Sequence, residues 1–231
     1  MQNFELLLHK GLPIITDKLG QKFIVDTGSP SSFCASGQVD LYDGIVKVPK
    51  KIMQVDAVYL QQNVGIQLDG LLGLDILAKK SFSIHYSSML FTIFDHQDEL
   101  HIEDGLQYFE ATAMFFKIPV SINGASVNLI LDTGAHISYL NPEYVRVDTN
   151  TLRRTNDFNP LLGNFEVSIV DEFEYSINGK TITHEVGLSP NQLVSMLGQL
   201  RVGGVFGYEL FNKIDFHYLK EENRISIRFI N

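Results

Sequence analysis

The chain has 231 residues, 45% hydrophobic and 19% charged, enough to bury a normal core as one large β domain or two small domains. Its formal charge of -9 and the lack of any basic run give phosphates no landing strip, which argues against nucleic acid as a partner. No apolar run is long enough for a transmembrane helix, and residues 1–10 carry neither the basic head nor the apolar stretch of a secretory signal, so no membrane partner is expected.

Cys34 is the single cysteine and no N-x-S/T acceptor occurs, which fits a reducing compartment and an expected cytoplasmic location. An apolar strand is expected at Phe4 to Leu8. The segment Leu12 to Phe33, LPIITDKLGQKFIVDTGSPSSF, then aligns without a gap on Ile118 to Tyr139, IPVSINGASVNLILDTGAHISY. Pro13 meets Pro119 and Asp26 meets Asp132. In each copy an alternating strand enters a turn (Asp17 to Gly20; Asn123-Gly124), and a continuous apolar strand returns to end on D-T-G. Because the first copy begins only about a dozen residues in, no removable pro-segment is expected.

A second repeated block follows in each copy, GLLGLDIL at Gly70 to Leu77 and GVFGYELF at Gly204 to Phe211, each leading into a short helix and then a strand. From the acid to the second glycine of that block is 47 residues in the first copy and 75 in the second, a surplus of 28. Between the copies an acidic, turn-rich stretch reads as a linker at 98–107, dividing the chain into halves 1–97 and 108–231. Strands at Phe4 to Leu8, Met89 to Phe94, Phe109 to Phe116 and Arg224 to Ile230 are expected to pair into one sheet joining the halves. Helices are expected around Asn141 to Arg146, at Pro190 to Leu200 and after each second-block glycine, with everything else β.

One D-T-G means little, since a given tripeptide arises by chance in roughly 3% of chains this long. Two at equivalent places in a repeat, each after an apolar run and before G-h-h-G (h, apolar), carry a strong signal. A pseudo-twofold axis relating the halves would bring Asp26 and Asp132 together. Two carboxylates about 3 Å apart repel by roughly 5 kcal/mol at an effective dielectric of 20, so the pair holds one proton over an acidic range. The ionised member can then take a proton from water while the protonated member donates to a carbonyl oxygen, the two acts amide hydrolysis needs.

From about Leu12 to Phe229 the sequence resembles the aspartic peptidases of the pepsin-like and retroviral types, whose signature is D-T-G-S/A with a later G-h-h-G. The resemblance implies a mostly β, bilobal acid-protease fold: two pseudo-twofold-related, closed β-barrel-like halves with few short helices. It implies that Asp26 and Asp132 bind the nucleophilic water and that the Thr27 and Thr133 hydroxyls cross-link the two loops. Gly28 and Gly134 would contact substrate backbone, and Ser29 and Ala135 match the small fourth residue, with Ser29 able to orient Asp26. The first half reads as too short for a full flap. The surplus around 154–166 (RTNDFNPLLGNFE) is therefore the candidate for a single one, with Asn156, Phe158, Leu161, Leu162 and Gly163 as substrate contacts. His136, bulkier than usual after D-T-G-A, could tune the pair or point outward. Ala135 and a cytoplasmic location imply activity at milder acidity than pepsin.

The implied function is an aspartic endopeptidase acting on a peptide or protein substrate in extended conformation, with no cofactor and no metal, a monomer sufficing for the site. The alternatives are a catalytically silent module of the same fold that binds extended peptide or a partner protein, and a dimerisation domain using only its terminal strands. Asp75 and Glu209 are expected in first helical turns, where the helix dipole favours an anion. Cys34 is expected in the core, since no histidine constellation matches it. The seven histidines show no metal spacing, and no phosphate-binding glycine loop or nucleophile elbow occurs.

Overall fold

The computed structural model describes residues 1–42, 44–96, 107–111, 114–146, 152–160 and 162–230. The expected linker at 98–107 lies outside the described residues except for Gln107. The protein is mostly β, with several sheets and few short helices.

The duplicated segments fold as the same unit. In the first, Leu12–Thr16 pairs antiparallel with Lys22–Val25, and Gly70–Leu72 adds in parallel on the far side. In the second, Lys117–Ile122 pairs with Ala125–Leu131, and Gly204–Phe206 adds in parallel. The turns follow their chemistry. The Asp17 carboxylate accepts from the Leu19 and Gln21 N–H groups at 2.9 Å each. Asn123 and Gly124 both take positive φ, 51° and 81°, as a two-residue hairpin turn requires.

The two sheets then diverge. The first stays open, in the order Leu7–His9, Leu12–Thr16, Lys22–Val25, Gly70–Leu72, Phe33–Cys34. The second continues through Tyr139–Leu140, Lys180–Leu188 and Gly163–Ile177, and closes where Ser121 pairs with Ser176. The expectation of two closed halves is thus corrected for the first. The physical reason is length: the surplus residues supply the 15-residue strand Gly163–Ile177 and the 9-residue strand Lys180–Leu188 that complete the ring. The first half has only two short hairpins there, Gln38–Tyr42 with Gly44–Lys47 and Lys51–Ile52 with Val55–Asp56, followed by the helix Ala57–Val64.

That helix was expected to be β. Its signals are a cap at each end: Asp56 accepts from the Tyr59 N–H, and Gly65 closes it in the left-handed region. It has a counterpart in Asn191–Gln199, and each helix packs on the face of its sheet turned away from the main core, with an equivalent apolar cluster. Leu60, Val64 and Leu68 pack on Ile24 and Leu71 in one. Leu193, Leu197 and Val202 pack with Ile130 and Val205 in the other. The helix expected around Asn141 to Arg146 is a single 3-10 turn, Pro142–Tyr144.

A third sheet of six strands joins the halves, in the order Gln2–Glu5, Leu90–Phe94, Ser81–His85, Ile214–Leu219, Arg224–Phe229, Gln107–Glu110. The terminal strands expected to meet one another do share this sheet, but the junction between halves is made by Ser81–His85 and Ile214–Leu219. Residues 7 and 8, expected here, belong to Leu7–His9 in the first-half sheet. The alternation of Ser81–His85 explains the packing. Phe82 and Ile84 face the core, where the Phe82 ring lies 5.7 to 6.2 Å from Phe91, Phe116, Phe216 and Tyr218. Ser83 and His85 face the other way, meeting His217 at 2.6 Å and Asp215 at 2.9 Å. Cys34 is fully buried in the core.

Two buried histidines make stability depend on pH. Burial, and then Lys213, push His184 down to about 4; burial, and then His85, push His217 down to about 4. The unfolded chain protonates these rings from about pH 6.5, whereas the folded chain does so only near 4. Between those values the unfolded state holds more protons, so stability falls as pH drops, by about 3 kcal/mol for each ring. We expect His184→Phe to lose less stability than the parent between pH 7 and pH 4.5 in chemical denaturation. An equal loss in both proteins would refute this.

Among the described residues no helix is long and apolar enough to cross a membrane, and no group of three or more His, Cys, Asp or Glu is placed to hold a metal ion.

Candidate active site

Each D-T-G leaves its apolar strand where the parallel second-block strand catches it. The Asp26 N–H donates to Leu72 O and the Asp132 N–H to Phe206 O, both at 2.9 Å. A tight turn follows, with Ser29 N–H donating to Asp26 O at 3.4 Å and Ala135 N–H to Asp132 O at 3.2 Å. That turn aims the next N–H back at the acid: Gly28 donates to Asp26 Oδ1 at 2.9 Å and Gly134 to Asp132 Oδ1 at 2.8 Å.

The threonines tie the loops together. Thr27 Oγ1 donates to Leu131 O at 2.8 Å and accepts from Thr133 N at 3.0 Å. Thr133 Oγ1 donates to Val25 O at 2.6 Å and accepts from Thr27 N at 3.0 Å. Both are fully buried, so four hydrogen bonds between the halves form away from water. The glycines exist for clearance. A Cβ on Gly28 would lie 2.1 Å from the Asp132 carboxyl carbon, and one on Gly134 would lie 2.4 Å from that of Asp26.

Asp26 and Asp132 are hydrogen-bonded to each other through their carboxyl groups. Burial first, then the Asp132 charge and hydrogen bond, raise Asp26 well above the ordinary carboxylate range. Burial also raises Asp132, but the bond from Asp26 and the surrounding N–H groups pull it back. With both acids raised and hydrogen-bonded to each other, the pair shares one proton over a range of pH, one carboxyl protonated while the other is ionised.

A serine in each copy supports the loops, and the sequence reading missed it. Ser32 Oγ accepts from Gly73 N at 2.8 Å and donates to Asp75 at 2.5 Å. Ser138 Oγ accepts from Gly207 N at 2.9 Å and donates to Glu209 at 3.0 Å. Asp75 and Glu209 do sit in the first turns of Leu74–Leu77 and Tyr208–Phe211, and they also fasten the acid loop to the second block. The signal was available, because Ser32 and Ser138 stand at matching places in the repeat.

The acids open into a cleft of about 780 Å³ between the halves. Its walls are largely apolar, drawn from Ile24, Leu60 and Leu71 on one side and Ile130, Leu197 and Val205 on the other. The first-half helix Ala57–Val64, unforeseen in the sequence, supplies part of that wall. Over the cleft lies a hairpin of Arg153–Asn159 and Gly163–Ile177, in register from Arg153 opposite Ile169 to Asn159 opposite Gly163.

Of the expected substrate contacts, Asn156 and Phe158 line the cleft. Leu162 instead packs against the second-half apolar cluster, and Gly163, at φ +77°, faces open space in the turn, so neither lines it. Leu161 lies outside the described residues. Asp157, Phe165 and Tyr139 line the cleft and were not foreseen. The Tyr139 hydroxyl donates to Asp157, and burial and that carboxylate push the phenol far up, so it keeps its proton. Across the cleft the Phe158 ring meets Tyr59 of the first half, centroids 5.6 Å apart. Ser29 does not orient Asp26 with its hydroxyl, which donates to Ser31 O at 2.8 Å; only its backbone N–H faces the acid. His136 is exposed at the cleft mouth, with Nδ1 against Lys10 O at 2.5 Å.

No family model matches the chain, and no curated protein matches its sequence. Among solved structures it is similar to the aspartic proteinase from Irpex lacteus, with a TM-score of 0.54 and 9% identity, over 100% of this chain and 97% of that one. At that identity the likeness is one of fold. The assignment to the pepsin-like and retroviral-type clan drawn from the two D-T-G segments is therefore corrected to the coarser conclusion that the chain is a mostly β protein sharing its fold with an aspartic proteinase.

Proposed function

We propose that the chain is an aspartic endopeptidase. The observation that carries the reading is the hydrogen-bonded pair of half-buried carboxyls, one from each half, lining the cleft. In this reading Asp132 is the ionised member and takes a proton from water as the water oxygen attacks the peptide carbonyl carbon. Asp26 gives its proton to the carbonyl oxygen. The tetrahedral intermediate then collapses: the C–N bond breaks, the leaving nitrogen takes a proton from Asp132, and the new hydroxyl returns one to Asp26. The Thr27 and Thr133 lattice fixes the two acids so that neither transfer waits on reorganisation.

In this reading the molecule is bilobal about a pseudo-twofold axis through the acid pair. The substrate lies extended in the cleft beneath the hairpin, which serves as a single flap carried by the second half. Mild rather than strong acid is the expected working range, because the stability tied to the two buried histidines is lost progressively from about pH 6.5 and is fully lost by about pH 4. The test is digestion of a peptide library in water enriched in oxygen-18. Direct attack by water puts one heavy oxygen in each new carboxyl, and Asp26→Asn should cut nothing. Equal cutting by both proteins would reject the assignment. Peptide binding without cutting by either would favour a silent peptide-binding module.

A further inference from the structure

Among the described residues, the part of the hairpin beside the cleft is a ribbon with no third strand. Gly163–Ile177 pairs with Lys180–Leu188 only from Ile169 onward, while Arg153–Asn159 is the last strand of its sheet. Among the described residues, 154–158 and 164–168 pair in the strand ladder only with each other, an arrangement that is marginal in water. The cross-strand pair Arg154 with Glu166 is exposed and adds little. Side chains from outside the ribbon must set its position.

Tyr139 touches both strands of the ribbon. Its hydroxyl donates to Asp157 on one, and its ring lies 6.1 Å from that of Phe165 on the other. Tyr139 itself is rigid, buried and paired by backbone to both Val205 and Gly187, seven residues beyond Asp132. The duplication supplies an internal control. The residue that aligns with Tyr139 in the first copy is Phe33, equally buried and without a hydroxyl, packed beside a hairpin, Lys51–Ile52 with Val55–Asp56, of only two residues a strand. Packing alone needs only a phenyl ring there.

We propose that Tyr139 and Asp157 are positioning residues that lock the ribbon across the cleft and so hold Phe158 against Tyr59 of the opposite half. The effect on catalysis rests on the peptidase reading above; the lock itself does not. Tyr139→Phe installs the residue the first copy already has, so the fold should persist. Amide hydrogen exchange of residues 155–159 and 162–168 in the free protein should accelerate about tenfold, with residues 81–85 and 214–219 unchanged. Asp157→Ala should match it, Asp157→Asn, which keeps an acceptor, should exchange near the parent rate, and the double variant Tyr139→Phe/Asp157→Ala should be no faster than either single one. On a library peptide that the parent cuts, KM should rise about tenfold for Tyr139→Phe with kcat changed far less. Parent-like exchange in Tyr139→Phe, additive effects in the double variant, or faster exchange with an unchanged KM would overturn the proposal. If exchange responds as stated but the parent cuts no peptide, the lock stands and the peptidase reading falls.

Discussion

Asp132→Asn is expected to lower kcat/KM on the order of 10,000-fold while leaving the fold intact. The amide fills the same volume and can still accept from Gly134 N, so the loop keeps its shape. It cannot take a proton from water, and general-base catalysis is typically worth a factor of about 100 to 10,000. Asp26→Asn should be as inactive for the opposite reason, having no proton to give. Stability responds as well. Asp26 has a raised folded value, so above the ordinary carboxylate range the unfolded chain ionises more readily and the folded state is penalised as pH rises. Asp26→Asn removes that penalty and should melt higher than the parent at pH 7. In Asp132→Asn the Asp26 carboxyl loses its charged neighbour but stays buried, so its titration should move down without reaching the ordinary range, as carbon-13 detection of the carboxyl would show. Full activity in either variant, or a lower melting temperature for Asp26→Asn at pH 7, would contradict this account.

Thr133→Val should destabilise the protein by about 3 to 5 kcal/mol and abolish activity in whatever remains folded. The side chain is near in shape, so the effect isolates the hydroxyl. Removing it strands Val25 O, which accepts at 2.6 Å, and Thr27 N, which donates at 3.0 Å, both where water does not reach. Each stranded backbone group costs about 1 to 3 kcal/mol, against a total stability of about 5 to 15 kcal/mol for a typical domain. Thr133→Ser keeps both bonds and should cost only about 1 kcal/mol with activity retained. Urea denaturation with peptide cleavage on the same samples separates the two substitutions. A Val variant as stable and active as the Ser variant would show that the lattice between the halves contributes little.

The contrast between Ser32 and Leu162 shows how far pattern reading reached. Ser32 and Ser138 were visible as matched letters, yet their value lies in bonds to Gly73 and Gly207, 41 and 69 residues away. Leu162 sat in the right surplus segment but turned against the apolar cluster, because which face of a hairpin meets the cleft depends on register and twist. The helix Ala57–Val64 is only eight residues long, too short to show a clear helical period or to stand alone; what holds it is packing on Ile24 and Leu71 from two distant strands.

By itself the sequence determined the paired unit: duplication, apolar strands ending on D-T-G, the turns, and the identity of Asp26 and Asp132, all properties of local pattern repeated twice. Only the tertiary structure decided that one sheet closes and the other stays open, that Ser81–His85 and Ile214–Leu219 make the junction, and that Tyr139 reaches Asp157. The physical reason is range. Strand and turn preferences act over a few neighbouring residues, whereas the closure of a ring, the mating of two halves and the resting place of a two-stranded ribbon depend on contacts between residues far apart in the chain.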